Sequence, residues 1–194
     1  MMLLTLIAAC SVFGVHPKTT EALIQIESGG NALALGLNAD RPGLRHPTSI
    51  REATKLASEL IAKGESVDLG LMQVNSKNLQ RLGLTVEDAF DRCKNIHAGS
   101  QILKEGYDRA EAALGPGQDA LKATVSAYNT GNFKSGLENG YVAKFYGHNT
   151  KPAKPNSADI AVTFDYDVDD NGFGSSKADF ERRGTRSDLR EKTR

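Results

Sequence analysis

The chain is organised around the stretch QIESGGN, residues 25–31, in which one carboxylate is followed after a single residue by two glycines. Upstream of it, Pro17 and an apolar spacing through Leu23 and Ile26 predict a helix with proline in its first turn. Glycine readily adopts the left-handed backbone conformation that commonly follows a helix. The helix is therefore predicted to end at Gly29-Gly30.

Glu27 falls in the last turn of this predicted helix, where the backbone carbonyls form the negative end of the helix dipole. A negative charge is disfavoured there, and partial burial acts in the same direction, so both effects raise the pKa of the carboxyl. A raised pKa suits a general acid that works near neutral pH. The alternative interpretation is a surface glutamate that merely ends a helix.

The length and composition limit the classes of protein to consider. The chain has 194 residues, which suits one domain with an appendage. Lys and Arg together number 24, as do Asp and Glu, so no overall basic field points to nucleic acid. No apolar run has the length of a membrane helix, so we expect no integral membrane segment. Four scattered histidines do not form a zinc site, so we expect no metal: His16, His46, His97 and His148. We also expect no cofactor.

The N-terminal segment allows several interpretations. Residues 1–10 are apolar but contain no Lys or Arg, so they match an export signal only weakly. Residues 7–10, IAAC, loosely resemble a lipoprotein cleavage box, which would leave Cys10 lipidated. Alternatively, residues 2–12 form the first buried helix of the domain. The two cysteines, Cys10 and Cys93, could be free and buried in a cytosolic protein or bridged outside the cytoplasm.

The next part of the chain predicts a small β-structure and a helix. Residues 31–38 alternate small and large apolar side chains and predict a short strand, followed by a turn at 39–43 and a second strand over 44–47. Ser49 and Glu52 then form a capping-box pattern that opens a helix.

Residues 68–75, DLGLMQVN, place a glycine inside an apolar run. This predicts a strand or loop at which another group approaches the backbone closely. Gln73 and Asn75 carry donors and acceptors that suit sugar hydroxyl and acetamido groups. The alternative is a buried strand whose Asn75 caps a helix over residues 76–82.

The rest of the domain is predicted to be helical. A short helix starts at Thr85 and Asp88, and the longest pattern covers residues 93–114, with an apolar stripe that ends at Leu114. Two more helices are predicted over residues 120–128 and 140–146. Tyr128 and Tyr141 on these helices are either core residues or direct their hydroxyls into a cleft.

Several of these motifs, taken in order, resemble a known family. Residues 27–31, 70–73 and 127–129, together with Tyr141, are similar to the motifs of soluble lytic transglycosylases with a goose-type lysozyme-like fold. The longer segments 68–75 and 127–133, with the Cys10/Cys93 pair, more closely resemble the specialised transglycosylases of bacterial type IV secretion and conjugation systems.

The resemblance implies a fold and a compartment. The fold would be mostly helical α+β, a lysozyme-like domain over residues 1–146 with a small β-sheet and a disulfide between Cys10 and Cys93. Residues 147–194 would form a flexible C-terminal tail, since this stretch has few apolar residues. The protein would act in the periplasm on peptidoglycan, and its tail would contact type IV secretion subunits.

The resemblance also implies an activity with one catalytic residue, Glu27. It would cleave the bond between N-acetylmuramic acid and N-acetylglucosamine without water and leave 1,6-anhydro ends. Tyr128 would hydrogen-bond the Glu27 carboxyl, and Gln73 would hold the acetamido group. The full set of expected substrate-binding residues is Met72, Gln73, Asn75, Tyr128, Asn129 and Tyr141, and the expected structural residues are Ser28, Asp68 and Gly70.

Two other functions remain open at this point. If Asp68 positions a water, the protein is a hydrolase of lysozyme type, from a phage or a competitor-killing system. If the fold only binds glycan, it is a non-enzymatic scaffold. In the tail, residues 167–172 match the first half of a calcium loop, but Ala178 stands where the pattern needs a bidentate acid.

Overall fold

A computed structural model describes residues 2–37 and 46–148 of the chain. The predicted turn at 39–43, the start of the predicted strand over 44–47 and the tail from residue 149 lie outside these ranges; residues 46 and 47 are not in a strand. The described elements, in chain order, are α1 Met2–Cys10, α2 Pro17–Ser28, β1 Leu35–Leu37, α3 Ile50–Ala62, β2 Val67–Leu69, β3 Val74–Asn75, α4 Arg92–Leu114, α5 Gln118–Thr130, α6 Ser135–Glu138 and α7 Tyr141–His148.

The architecture is mostly helical with one small sheet, as the α+β prediction requires. The sheet has the strand order β1-β2-β3, and both pairings are antiparallel. Gly36 of β1 lies opposite Asp68 of β2, which lies opposite Asn75 of β3. The three strands thereby place these residues in one row across the sheet.

Helix α2 begins and ends where the sequence predicts. Pro17 occupies its first turn, and the imidazole of His16 caps it by accepting from the Lys18 amide at 3.2 Å. At the other end Gly29 has φ 60°, and its amide donates to the Gln25 carbonyl at 3.2 Å. A left-handed residue in this position satisfies a carbonyl that the helix itself leaves without a partner.

The capping box of α3 is also confirmed. The Ser49 hydroxyl accepts from the Glu52 amide at 3.2 Å, and the Glu52 carboxylate accepts from the Thr48 amide at 2.9 Å. Two amides at the helix start thereby gain acceptors.

Two segments predicted as helices are shorter than expected. Only Ser76–Asn78 and Asp88–Phe90 form helical turns, and both are of the 3-10 type. Asn75 nevertheless caps the first of them, because its side-chain oxygen accepts from the Lys77 amide at 3.0 Å. Short 3-10 turns are common as connectors, and the pattern of caps and apolar residues does not distinguish them from an α-helix.

Helix α4 is the centre of the core. Its apolar stripe is buried as predicted at Ile96, Leu103, Tyr107 and Ala110. Leu114, predicted to complete the stripe, is 56% exposed because it is the last residue of the helix and extends past the core.

The N-terminal segment forms a helix, as one of its interpretations proposed. Ile7 of α1 is fully buried, and a disulfide joins Cys10 at the end of α1 to Cys93 at the start of α4. The predicted pairing is confirmed, and a sulfur bonded to Cys93 is not available for a lipid. Within residues 2–37 and 46–148, no helix combines the length and apolar character that spanning a membrane requires.

Candidate active site

Four elements converge on the carboxyl of Glu27. Glu27 lies in the last turn of α2, and Tyr141 at the start of α7 donates a hydrogen bond from its hydroxyl to Oε1 of Glu27. Asp68 of β2 and Tyr128 of α5 also lie near this carboxyl. The charge of Asp68 acts on the ionisation of Glu27, and the charges of Glu27 and Asp68 act on that of Tyr128. Residues from sequence positions more than a hundred apart thereby surround one carboxyl.

The environment of Glu27 favours its protonated form. Burial raises the pKa of the carboxyl from 4.5 to about 7, the Tyr141 hydrogen bond opposes this rise, and the nearby charge of Asp68 adds to it. The predicted direction of the shift is confirmed. The main physical cause of the shift is burial of the carboxyl, and not the helix dipole that the position of Glu27 in the sequence suggests.

The hydroxyl that bonds Glu27 belongs to Tyr141, whereas the resemblance implied Tyr128 for this role and a lining role for Tyr141. Tyr128 does not bond Glu27; its hydroxyl donates to the Met72 carbonyl at 2.8 Å, and Tyr141 bonds the carboxyl instead. Burial, together with the charge of Glu27, raises the pKa of both phenols above the ordinary value. Both hydroxyls therefore remain protonated donors at neutral pH.

Residues 70–73, which we call the β2–β3 loop, accept hydrogen bonds from Ser28 and Tyr128 at the site. Gly70 has φ 75°, and a Cβ on it would lie 2.4 Å from the Ala89 carbonyl oxygen, so only glycine fits. The Ser28 hydroxyl donates to the Leu71 carbonyl at 2.7 Å, which ties this loop to the residue after Glu27. The Ser28 hydrogen bond and the close approach at Gly70 are the observations that bear on the structural roles expected of these two residues.

Gln73 ends the same loop in an unusual backbone conformation. Its φ is 48°, which is uncommon for a residue other than glycine. Its side-chain amide donates to the carbonyls of Gly70 at 2.8 Å and Ala34 at 3.3 Å. A Cβ on Gly36 would lie 2.5 Å from Oε1 of Gln73, so the side chain lies directly against β1.

Asp68 and Asn75 form a pair across strands β2 and β3. The Asn75 amide donates to Asp68 Oδ1 at 2.7 Å and to the Ser66 hydroxyl at 2.9 Å. Burial raises the pKa of Asp68, and the Asn75 hydrogen bond lowers it. Since the Asn75 oxygen also caps the next turn, both polar groups of Asn75 have partners within the protein, which favours a structural role over the predicted sugar contact.

The other predicted binding residues differ in how accessible they are. Met72 is 0% exposed and packs where a Cβ on Gly99 would lie 2.6 Å from its side chain, so its position does not support substrate contact. Tyr141 is 7% exposed and reaches the site through its hydroxyl. Asn129 is exposed, and its Oδ1 accepts from the Asn139 amide at 3.1 Å.

The sequence interpretation missed Asn95. This residue of α4 is 1% exposed, and its side chain bonds the Met72 amide and the carbonyls of Leu69 and Ala89. An asparagine within the apolar stripe of a long helix was the available signal, because a buried amide requires several partners.

Metal binding finds no support in the part of the chain that the structure describes. Across residues 2–37 and 46–148, no group of three or more His, Cys, Asp or Glu side chains is arranged to hold an ion.

Fold and site together define a lysozyme-like domain with a protonatable glutamate at the centre of its site. The chain belongs to the family described as "Transglycosylase SLT domain", whose model matches residues 5–149.

Curated relatives carry more specific names. The chain is 42% identical over 143 residues to "Type IV secretion system protein virB1" of Brucella abortus biovar 1 (strain 9-941), a match that covers 73% of this chain and 55% of that protein. It is 38% identical over 130 residues to "Protein virB1" of Rhizobium radiobacter, covering 67% and 54%. The chain thus spans about half the length of the curated relatives it matches. No solved structure matches the chain.

Proposed function

We propose that this protein is a peptidoglycan lytic transglycosylase in which Glu27 is the single catalytic residue. The observation that carries the proposal is the Glu27 carboxyl itself, buried enough to have a pKa of about 7 and held by the Tyr141 hydroxyl. At pH 7 about half of the molecules then carry a proton on Glu27, so the group can both donate and accept one.

In the first step, Glu27 donates its proton to the glycosidic oxygen between N-acetylmuramic acid and N-acetylglucosamine. The bond between that oxygen and the anomeric carbon breaks, and the N-acetylglucosamine side leaves with a new hydroxyl. The acetamido oxygen of the muramoyl sugar stabilises the cation-like carbon, as in glycosidases that use assistance from the substrate.

In the second step, the Glu27 carboxylate acts as a base. It removes the proton of the muramoyl 6-hydroxyl, whose oxygen attacks the anomeric carbon and closes the 1,6-anhydro ring. Glu27 regains its proton, and no water is consumed. Tyr141 supports this step, because its hydrogen bond stabilises the ionised form of Glu27 between the two transfers.

Substrate binding is assigned to residues around this carboxyl. Gln73 Oε1 would accept from the acetamido N–H, since the side-chain amide of Gln73 already bonds two carbonyls of the protein. Asn129 is exposed in the last turn of α5, and we assign it a contact with a sugar hydroxyl. Tyr128 would offer ring contact, because its hydroxyl bonds Met72.

A hydrolase of lysozyme type is the second candidate, and Asp68 is the observation that favours it. Asp68 is half-buried, its pKa is raised, and its charge affects Glu27. If Asp68 activates a water, Asp68→Asn abolishes activity and the products have reducing ends. In a transglycosylase the same substitution leaves anhydro products, because the attacking hydroxyl belongs to the substrate.

The deciding experiment combines Glu27→Gln with mass analysis of the muropeptides released from purified walls. We expect anhydro ends from the wild type and a loss of at least a hundredfold in rate for Glu27→Gln, because general acid–base catalysis contributes about 10²–10⁴-fold. Glu21→Gln is the matched control, since Glu21 lies on the same helix and pairs with Lys18. Reducing ends would contradict the transglycosylase, and unchanged lysis by Glu27→Gln would reject Glu27 as the acid. No lysis by the wild type would leave a glycan-binding scaffold.

We further propose a biological setting, supported by the names of the relatives. The protein would act in the periplasm and open the wall locally for assembly of a type IV secretion or conjugation apparatus, with its tail contacting subunits of that apparatus. Secretion or transfer by a deletion strain should be restored by the wild-type chain and not by Glu27→Gln. Equal restoration by the wild type and by Glu27→Gln would show that the role in secretion or transfer does not require catalysis by Glu27.

A further inference from the structure

The β2–β3 loop is held from below by one side chain, Asn95. Its Oδ1 accepts from the Met72 amide at 2.8 Å, and its Nδ2 donates to the Leu69 carbonyl at 2.8 Å and the Ala89 carbonyl at 2.7 Å. One amide thereby bonds residues on both sides of the tip of the loop, as the backbone of a neighbouring strand would. All of these contacts are buried, so water does not compete for them.

The same loop bonds the active site on its other side. The Leu71 carbonyl accepts from Ser28, which directly follows Glu27, and the Met72 carbonyl accepts from Tyr128. Met72 therefore donates to Asn95 through its amide and accepts from Tyr128 through its carbonyl. A displacement of the loop at Asn95 would reach both of these active-site contacts.

Close packing makes the connection tight. A Cβ on Gly70 would lie 2.5 Å from Asn95 Nδ2, and a Cβ on Gly99, one turn along α4, would lie 2.6 Å from the Met72 side chain. The loop thus rests directly on α4, at two glycines that leave no space for a larger side chain. Without the Asn95 amide, Leu69, Met72 and Ala89 would each have a buried polar group without this partner.

We propose that Asn95 is a positioning residue for the transglycosylase reaction, which keeps Glu27 buried by holding the β2–β3 loop against α4. The inference rests on the proposed function for its consequence in catalysis, but the effect on the Glu27 carboxyl can be measured without any activity.

The direction of the effect follows from the groups that face Glu27. These are Asp68 from β2, Tyr128 from α5 and Tyr141 from α7. If the loop loosens, water enters, so burial of Glu27 decreases and the charge of Asp68 is better screened. Both changes lower the pKa of Glu27 towards 4.5, because burial and Asp68 are the two influences that raise it. The Tyr141 hydroxyl belongs to α7 and not to the loop, and its hydrogen bond also lowers the pKa of Glu27.

The test is an NMR titration of the Glu27 side-chain carboxyl in the wild type and in Asn95→Ala. We expect the pKa of Glu27 to fall by about one unit in the variant, because part of the burial that raises it is lost. At pH 7 this lowers the protonated fraction from about a half to about a tenth. The rate of wall lysis should therefore fall about fivefold more at pH 7 than at pH 5.

Ser100→Ala is the matched control. Ser100 is fully buried on the same helix, and its hydroxyl bonds the Val12 amide at 3.0 Å and the His97 carbonyl at 2.9 Å. The substitution Ser100→Ala thus removes a buried hydrogen-bonding group of α4, but one that does not hold the β2–β3 loop. Ser100→Ala should lower stability while leaving the pKa of Glu27 and the shape of the pH profile unchanged.

The outcomes separate this inference from the proposed function. An unchanged pKa of Glu27 in Asn95→Ala would overturn the inference, whatever the loss of stability. If Asn95→Ala does not fold, Asn95→Ser, which leaves one hydroxyl in place of the amide, is judged by the same titration, in which an unchanged pKa again overturns the inference. A lowered pKa with no anhydro product from the wild type would keep the positioning role and reject the transglycosylase.

Discussion

At the scale of single residues, Glu27 shows how one group can suit the chemistry and reduce stability. Its pKa of about 7 means that the folded protein holds the proton more tightly than an unfolded chain with a pKa of 4.5. The contribution of this group to stability is therefore fully present below about pH 4.5 and is lost as pH rises through 7. Ionised Glu27 in its buried position therefore lowers the stability of the folded protein, and the proposed reaction requires this ionised form.

Glu27→Gln should consequently stabilise the protein at high pH. Gln is neutral throughout, so the variant should exceed the wild type in free energy of unfolding by about 3 kcal/mol at pH 8, because each pKa unit corresponds to about 1.4 kcal/mol. The difference should be near zero at pH 4. Urea denaturation at pH 4, 6 and 8 measures it, and a difference independent of pH would contradict the burial argument.

Tyr141→Phe tests the hydrogen bond that Glu27 receives. The bond stabilises the carboxylate, so its loss should raise the pKa of Glu27 and move the alkaline limb of the pH–rate profile to higher pH. The rate at the optimum should fall about tenfold, because the carboxyl loses a contact that orients it.

Tyr146→Phe is the control for that experiment. Tyr146 lies on the same helix, and its hydroxyl bonds Gln118 at 2.9 Å instead of Glu27. It should leave the alkaline limb where it is. A limb that moves to lower pH in Tyr141→Phe would show that the hydroxyl mainly excludes water.

At the scale of elements, local patterns predicted what depends on neighbours in sequence. The end of α2 at Gly29 and the capping box at Ser49 and Glu52 were predicted correctly, because caps and positive φ angles are properties of a few consecutive residues. The length of the two 3-10 turns was not, since tertiary contacts decide whether such a turn continues as an α-helix.

The assignment of the Glu27 hydrogen bond to Tyr128 is an error of a different kind. Both tyrosines were predicted to lie near Glu27, and the structure places both there. Which hydroxyl reaches the carboxyl depends on how α7 packs after the short helix α6. The spacing of residues in the sequence does not define the packing of α7. For this reason the hydrogen bond to Glu27 was assigned to Tyr128, which is wrong. Asn95 was missed for the same reason, because its partners lie on β2, the β2–β3 loop and the turn at Asp88–Phe90.

At the scale of the whole molecule, the disulfide ties the N-terminal helix to the central helix. Cys10 and Cys93 are 83 residues apart, and their Cα atoms lie 5.1 Å from one another. Ile7 of α1 belongs to the same core as the buried residues of α4. Detachment of α1 would therefore expose apolar surface of this core.

Removing the disulfide should therefore lower the stability of the folded state. For the double variant Cys10→Ala/Cys93→Ala we expect a loss of about 4.5 kcal/mol in free energy of unfolding, the chain-entropy value for a loop of this length. Urea denaturation of the oxidised wild type and the double variant at one pH measures it, with the reduced wild type as control. Two reactive thiols in protein taken from its native compartment would contradict the bridge.

The sequence by itself determined the helical class and the position of Glu27 at a helix end, because these follow from local backbone preferences. The tertiary structure decided what surrounds that carboxyl. Tyr141 as its partner, Asp68 as its charged neighbour and Asn95 beneath the β2–β3 loop come from separate elements. Burial depends on all of them at once, and so the pKa of about 7 is a property of the packed fold.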